Sequence, residues 1–460
     1  MKDSRPRRPA GALAALRARH EPRLATLRGS GTATAAGLAG AMIANNVLAL
    51  LATVVFAREL SDYGSLGALI SYLLILSVAG QAMQVATARE GVLGHLGVGP
   101  SLLATVRGWT RNLLIATVVL TAASVLLRHP IASAVGVHRF PWGAALGIPA
   151  GCMYLEVSLL RGALQGVRDY RSVGVSLIGE QGVRLVTGAV LALGLGVTGA
   201  YLGSILSFGA MSVYCVVKLR ASTAVQPDNG TVGGSAVSLG RHIQRAWAPI
   251  AGLAVIAVLQ NIDIIAAKHR FSTALASSYA ATAVAAKVTV WVAMGAAFYL
   301  VPEASRRRGE GRDARPVLGR ALAIVLVCAV PCLLIFAFGS HQLLSAVFGH
   351  RKATASDSLL TLGVAFTFLA CTYLAVQYML ALRRTWFLLV IGAVAAAEPV
   401  FLLQAPRQAT GFADVVLAIQ AVAATLALAM ALRKDRSLPA LPPDAAVVDE
   451  AASASVAELV

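Results

Sequence analysis

Apolar residues fill long stretches of this chain, and polar residues fall between them in short clusters. Residues 29–57, 63–88, 185–217 and 321–350 carry no Asp, Glu, Lys or Arg at all. A bilayer's hydrocarbon core is about 30 Å thick and a helix rises about 1.5 Å per residue, so about 20 apolar residues cross it. On that measure the pattern predicts an all-α integral membrane fold with twelve helices. They cover about 34–57, 64–87, 112–128, 140–161, 171–193, 197–218, 246–267, 279–302, 318–338, 357–382, 385–404 and 411–432. The third is short on this reading and is expected to start before Arg111. The segment 194–199 (GLGVTG) reads as a tight turn between the fifth and sixth. The implied organisation is a basic N-terminal segment (1–33), a six-helix bundle (34–219), a linker (220–245), a second bundle (246–432) and a tail (433–460) that reads as disordered. No signal-peptide pattern is expected, because 33 mostly polar residues precede a run too long for a signal core.

Composition agrees with this picture. Of 460 residues, 57% are hydrophobic and 13% charged, against roughly 25% charged in a soluble domain. A soluble enzyme is therefore excluded. The net charge of +18 would suit a nucleic-acid binder, but the hydropathy opposes one. Placing the N-terminus inside puts 29 basic residues in the inner segments and 8 in the outer loops, with Arg184 and Lys287 inside helices. Basic loops stay cytoplasmic, so both termini are expected in the cytoplasm of a cell-membrane protein. Arg306, Arg307, Arg308, Arg312 and Arg315 form the densest cluster. It reads as an orientation signal or as a site for anionic lipid heads. Leucines at helical spacing between arginines in residues 11–28 read as a surface-lying amphipathic helix or as disorder.

The chemistry of catalysis is absent from the sequence. Cys152, Cys215, Cys328, Cys332 and Cys371 all fall in expected helices and read as small core residues. All eight histidines fall in loops or termini. There is no GxxxxGK[ST], GxSxG or HExxH, so the chain is not its own ATPase and no cofactor is expected. Gly143, Gly147 and Gly151, and again Gly199 and Gly203, have the spacing that permits close helix contact.

The two halves echo one another at an offset of 216 residues. Tyr63 matches Tyr279, each expected to open the second helix of its half. Arg168-Asp169-Tyr170 matches Arg384-Thr385-Trp386, each opening a fifth helix, and Glu180 and Glu398 then lie at similar depths. Parallel six-helix repeats about an axis normal to the membrane form a transporter architecture. The stretch 54–90 carries Arg58, Leu60, Tyr63 and Gly64 between two apolar helices, and 259–287 carries Asn-x-Asp, a turn and a Tyr; Pro302 follows. With LLRGALQGVRDYRSVGVSLIGEQGVRL, these residues resemble the polysaccharide flippases of the multidrug, oligosaccharidyl-lipid and polysaccharide exporter superfamily, over most of residues 34–430. The resemblance implies two six-helix bundles around a central lumen lined by the first, second, seventh and eighth helices. It implies flipping of a polyprenyl-diphosphate-linked glycan, with the lipid bilayer, that glycan and glycan-assembly proteins as partners. A cation-coupled drug or metabolite exporter of the same superfamily is the alternative. A membrane glycan polymerase or ligase is disfavoured, since no outer loop exceeds about 20 residues.

Charges inside a bilayer are costly, by about 2.5–3.5 kcal/mol each on insertion scales, and so face partners or cavities. Glu180 and Arg184 share a helix face at i, i+4, as a structural pair or a switch. Asp263 and Lys287 lie within about 5 Å in depth by helix rise, close enough to pair across the lumen or as helix–helix glue. Glu398, before Pro399, is either silent or a site for a coupled proton. On the expected lining helices lie Asn45, Asn46, Gln81, Gln84, Gln260 and Asn261, whose amides suit sugar hydroxyls or neighbouring helices. Arg89 is the expected cation for a diphosphate at the cytoplasmic mouth, ahead of Arg161 and Arg320. Arg58, at the outer end of the first helix, guides release or anchors the interface.

Overall fold

The structure, a computed structural model, describes residues 37–38, 40–224 and 238–433. The expected surface-lying N-terminal helix and the expected disordered tail lie outside the described residues.

The described chain is helical throughout, with no strand among the described residues. Eleven helical segments are long and apolar enough to cross a membrane. The first crossing is α1 (Gly40–Glu59), followed by α2 (Tyr63–Val92) and α3 (Pro100–Leu126). The short α4 (Arg128–Val135) and α5 (Pro141–Ala145) lead into α6 (Gly147–Gly166), and α5 and α6 make one crossing. Helix α7 (Tyr170–Ala224) has 55 residues, about 80 Å at the usual rise and more than two bilayer cores. It breaks at Gly196, whose φ of 54° and ψ of −131° only glycine adopts readily. It therefore holds two crossings, and the total is the twelve that the sequence predicts. The linker contributes α8 (Leu239–Arg245). Then come α9 (Trp247–Arg270), α10 (Thr273–Ala286) and α11 (Val288–Gly309), the last two forming one crossing interrupted at Lys287. Helices α12 (Arg315–Phe348), α13 (Leu359–Ala381), α14 (Phe387–Gln404) and α15 (Ala409–Leu432) complete the fold.

The third crossing begins before Arg111 as expected, at Pro100, and is 27 residues long. One expectation changes here. Tyr279 does not open a helix: α10 starts at Thr273, capped by Ser272, whereas Tyr63 follows its cap Asp62 directly. The repeat is clearer in the turns before the fifth helices. Arg168 (φ 63°) and Arg383 (φ 52°) are the described non-glycine residues with positive φ. Each is followed by the same long turn bond, Asp169 N to Leu164 O at 2.9 Å and Arg384 N to Met379 O at 2.9 Å. The offset there is 215, so Arg168 corresponds to Arg383, one residue from the sequence match. The side chain after each turn reaches the end of the sixth helix of its half. Asp169 accepts from Ser222 Oγ (3.1 Å), and Arg384 donates to the Ala431 and Arg433 carbonyls (3.4 Å each).

Helix α2 joins the halves. Its N-terminal end packs so closely on α10 that a Cβ on Gly64 would lie 2.9 Å from the Ser277 nitrogen. On its other flank, Tyr72 and Leu76 rest on Gly147 and Gly151 of α6. Between the C-terminal end of α2 and the C-terminal half lies a cavity, at the face where the arginine-rich loops gather, called the basic face below. The opposite face, where α2 packs on α10, is called the closed face.

Candidate functional site

The cavity at the basic face has a volume of about 680 Å³. One wall is the end of α2, with Ala82, Val85, Ala86, Arg89 and Glu90. The other is built by α8, the start of α9, the end of α11, and the α13–α14 turn. Its deep part is apolar, with Leu253, Phe298, Val301 and Leu380. Its rim carries Arg89, Arg245, Arg383 and Arg384 against Glu90, with His242, Gln377 and Thr385. Four cations against one carboxylate, over an apolar roof, suit an anionic group attached to an apolar tail. Guanidinium groups bind phosphate in particular, because their N–H fork matches its oxygens.

Of the residues singled out from sequence, Arg89 is on this wall. Arg245, Arg383 and Arg384 share it and were not singled out as cargo contacts. Two consecutive arginines closing an apolar run at the basic face were the available signal. The tenth crossing and the linker helix supply wall residues that the expected four lining helices omit, and α1 supplies none. Asn46 is exposed and accepts from Asn45 (3.4 Å) on the same helix. Gln81 is exposed beside the cavity wall, and Gln260 is half-buried. Asn261 is buried and donates to the Ala257 carbonyl of its own helix (2.9 Å).

The membrane-embedded charges lie inside the two halves, away from the cavity. Asp263 is fully buried. Its Oδ1 accepts from Lys287 Nζ (3.3 Å) and its Oδ2 from the Tyr279 hydroxyl (3.3 Å). The pair is therefore helix–helix glue within the C-terminal half, and does not reach across the lumen. The ammonium also lies 5.1 Å from the centre of the Phe366 ring. Glu398, also fully buried, accepts from Gln420 Nε2 at 3.0 Å. Its second oxygen is buried without a partner, and Asp263 and Lys287 are within electrostatic reach.

In the N-terminal half, Glu180 pairs with Arg161 (2.8 Å) rather than with Arg184. Arg161 is 1% exposed and clamps α7 through Ser176, donating to its hydroxyl (2.8 Å) and its carbonyl (2.9 Å). It is thus a structural residue and not a headgroup contact; Arg320 is exposed. Glu156 on α6, 7% exposed, is a buried acid that the sequence reading does not single out. Four of the five clustered arginines at the end of α11 and in the turn after it meet nearby acids. Arg306 and Arg307 pair with Glu303 (2.8 Å each), Arg312 pairs with Glu310 (3.0 Å), and Arg315 lies 3.9 Å from Asp313. These acids offset part of the cluster's charge.

At the closed face the turn before α2 is clasped by the C-terminal half. Lys268 pairs with Asp62 (2.7 Å), and Lys352 donates to the Leu60 and Ser61 carbonyls (3.2 Å each). Arg58 donates to the Val347 carbonyl (2.9 Å), and Gly64 N to Ser277 Oγ (2.9 Å). Burial pushes the Lys352 ammonium below its ordinary pKa, and Asp62 opposes the shift. Arg58 is thereby a cross-half contact.

No family model matches the sequence, and no curated protein matches it. Solved structures do. One is described as the inward-facing conformation of a multidrug resistance MATE family transporter of the MOP superfamily. It aligns with a TM-score of 0.65 at 14% identity, over 84% of this chain and 93% of that one. The lipid II flippase MurJ in an inward closed conformation aligns with a TM-score of 0.65 at 13% identity, over 85% and 87%. The eukaryotic MATE transporter AtDTX14 aligns at 0.52 and 14% identity, over 92% and 98%. The chain thus shares its overall fold with these transporter structures.

Proposed function

We propose that the chain is a flippase for a polyprenyl-diphosphate-linked oligosaccharide, a polysaccharide precursor, in the cytoplasmic membrane. The observation that carries this reading is the cavity rim, where four arginines and one glutamate stand below an apolar roof. The basic face is then cytoplasmic, as the distribution of Lys and Arg implies. The diphosphate sits among the arginines, and the glycan occupies the cavity while the polyprenyl tail stays in lipid. The halves rock about their closed-face contacts to present the cavity alternately to each side. The fold shared with a lipid II flippase supports a lipid-linked cargo. The same fold serves multidrug transporters, but four arginines repel a cationic drug. Asp263, Lys287 and Glu398, buried together outside the cargo path, suit the coupling step; Glu398, with one unpartnered oxygen, carries the proton.

Reconstitution into proteoliposomes with a defined polyprenyl-diphosphate oligosaccharide tests this directly. Arg89→Gln removes one charge-assisted contact, each worth about 1.5–3 kcal/mol. It should lower apparent cargo affinity roughly 10- to 100-fold, with insertion unchanged. Wild-type transport in Arg89→Gln, or efflux of cationic drugs without glycolipid flipping, overturns the reading.

A further inference from the structure

One buried titratable side chain at the cavity edge has no part in the transport reading. His242 is 2% exposed, on α8. Its Nε2 is hydrogen-bonded to Thr87 Oγ1 (3.2 Å), and its ring stacks on Trp109, with centroids 4.9 Å apart and planes 20° from parallel. Thr87 and Trp109 belong to α2 and α3 of the N-terminal half. Helix α8 runs through Ala246 into α9, the first helix of the C-terminal half. His242 thus ties the halves together at the basic face. Arg245, one turn further along α8, stands in the cavity wall, so the docking of α8 sets where that guanidinium lies.

We propose that His242 is a positioning residue that docks α8 on α2 and α3, and that acidification at the basic face undocks α8 and withdraws Arg245 from the cavity. The role of Arg245 rests on the transport reading; the docking does not. A neutral imidazole fits a site made of an indole face and one hydroxyl. An imidazolium there would bring a charge and a second donor out of water without an acceptor. Burial holds the His242 pKa below its ordinary 6.5, Glu90 opposing and Arg245 assisting. The facing groups are few. From α2 come Arg89 and Glu90, the latter paired with His95 (2.8 Å). On α3, Arg107 and Arg111 are exposed. Helix α8 itself adds Arg241 and Arg245, the first turns of α9 carry no titratable side chain, and Arg383 and Arg384 face from across the cavity. The sign follows from the lowered value. Undocked His242 binds a proton more readily than docked His242. Docking is therefore at full strength above pH 6.5 and weakens as pH falls below it, by up to about tenfold per unit.

Hydrogen–deuterium exchange on the full chain in nanodiscs tests this, with rates corrected for the intrinsic pH dependence. Protection of residues 239–246 should fall between pH 7.5 and 5.5 in the wild type, by at most about tenfold. His242→Gln keeps a neutral hydrogen-bonding side chain and should make that protection independent of pH. His242→Ala should lower it at every pH. Constant protection in the wild type, or the same loss in His242→Gln, overturns the proposal. Failure of the cargo reading would appear in the flipping assay alone and would leave these exchange results unchanged.

Discussion

The buried charges are paired by tertiary neighbours, and this decides what each substitution costs. Arg161 and Glu180 sit on different crossings and meet inside the N-terminal half. Removing one member leaves the other as an uncompensated buried charge, which costs about 3–5 kcal/mol. Replacing both by apolar residues removes two desolvation penalties together and is often neutral. Arg161→Leu should therefore unfold far more readily in detergent than the wild type, and Arg161→Leu/Glu180→Leu should recover most of the loss. A single variant as stable as the wild type would show that water, not Arg161, carries the Glu180 charge. The sequence made Glu180 conspicuous but assigned it the wrong neighbour. Spacing along a helix reports i, i+4 partners, and Arg161 is nineteen residues away across a turn. The Asp263–Lys287 pair was legible because both residues flank one short connection, which limits their separation in depth. Arg245, Arg383 and Arg384 were not legible as cavity residues, because nothing local separates an arginine that lines a cavity from one in a surface loop.

Helices were the most legible level, since an apolar run of membrane length leaves few alternatives for its backbone polar groups. What sequence left open was how crossings break and turn. Arg168 and Arg383 hold the left-handed conformation before the fifth helix of each half. That conformation costs a non-glycine residue about 1–2 kcal/mol, while glycine adds about 0.5–1 kcal/mol of entropy loss on folding. The two turns have the same backbone but different surroundings, since only Arg383 lines the cavity. Arg168→Gly should raise stability by about 0.5–1 kcal/mol and leave transport unchanged. Arg383→Gly should relieve the same strain but weaken cargo affinity. Thermal unfolding and flipping rates of the two variants, measured side by side, separate strain from charge. Equal transport loss in both would mean that the turns act through backbone shape alone.

At the scale of the molecule, short polar contacts hold the halves together at one face, and on the proposed transport cycle their strength sets how readily that face opens. The clasp concentrates on the turn before α2, where Asp62 is the carboxylate facing Lys268, and Lys352 is bound to the Leu60 and Ser61 carbonyls. Asp62 and Lys268 are largely buried, at 13% and 9% side-chain exposure, so their pairing is worth more than a surface ion pair. Loss of a hydrogen bond between charged groups costs about 1.5–3 kcal/mol. Asp62→Asn should therefore shift the equilibrium toward opening at this face by roughly 10- to 100-fold. Ala276 is the reporter, because it is 2% exposed and packs on Gly64 at the contact itself. In a background lacking the five native cysteines, Ala276→Cys should react slowly with an impermeant maleimide. It should react much faster when Asp62→Asn is added. Exchanging the charges, Asp62→Lys with Lys268→Asp, should restore slow labelling, which a general loosening of the fold would not do. Labelling at the same rate with and without Asp62→Asn would mean that the tight α2–α10 packing at Gly64, rather than the ionic clasp, keeps this face closed.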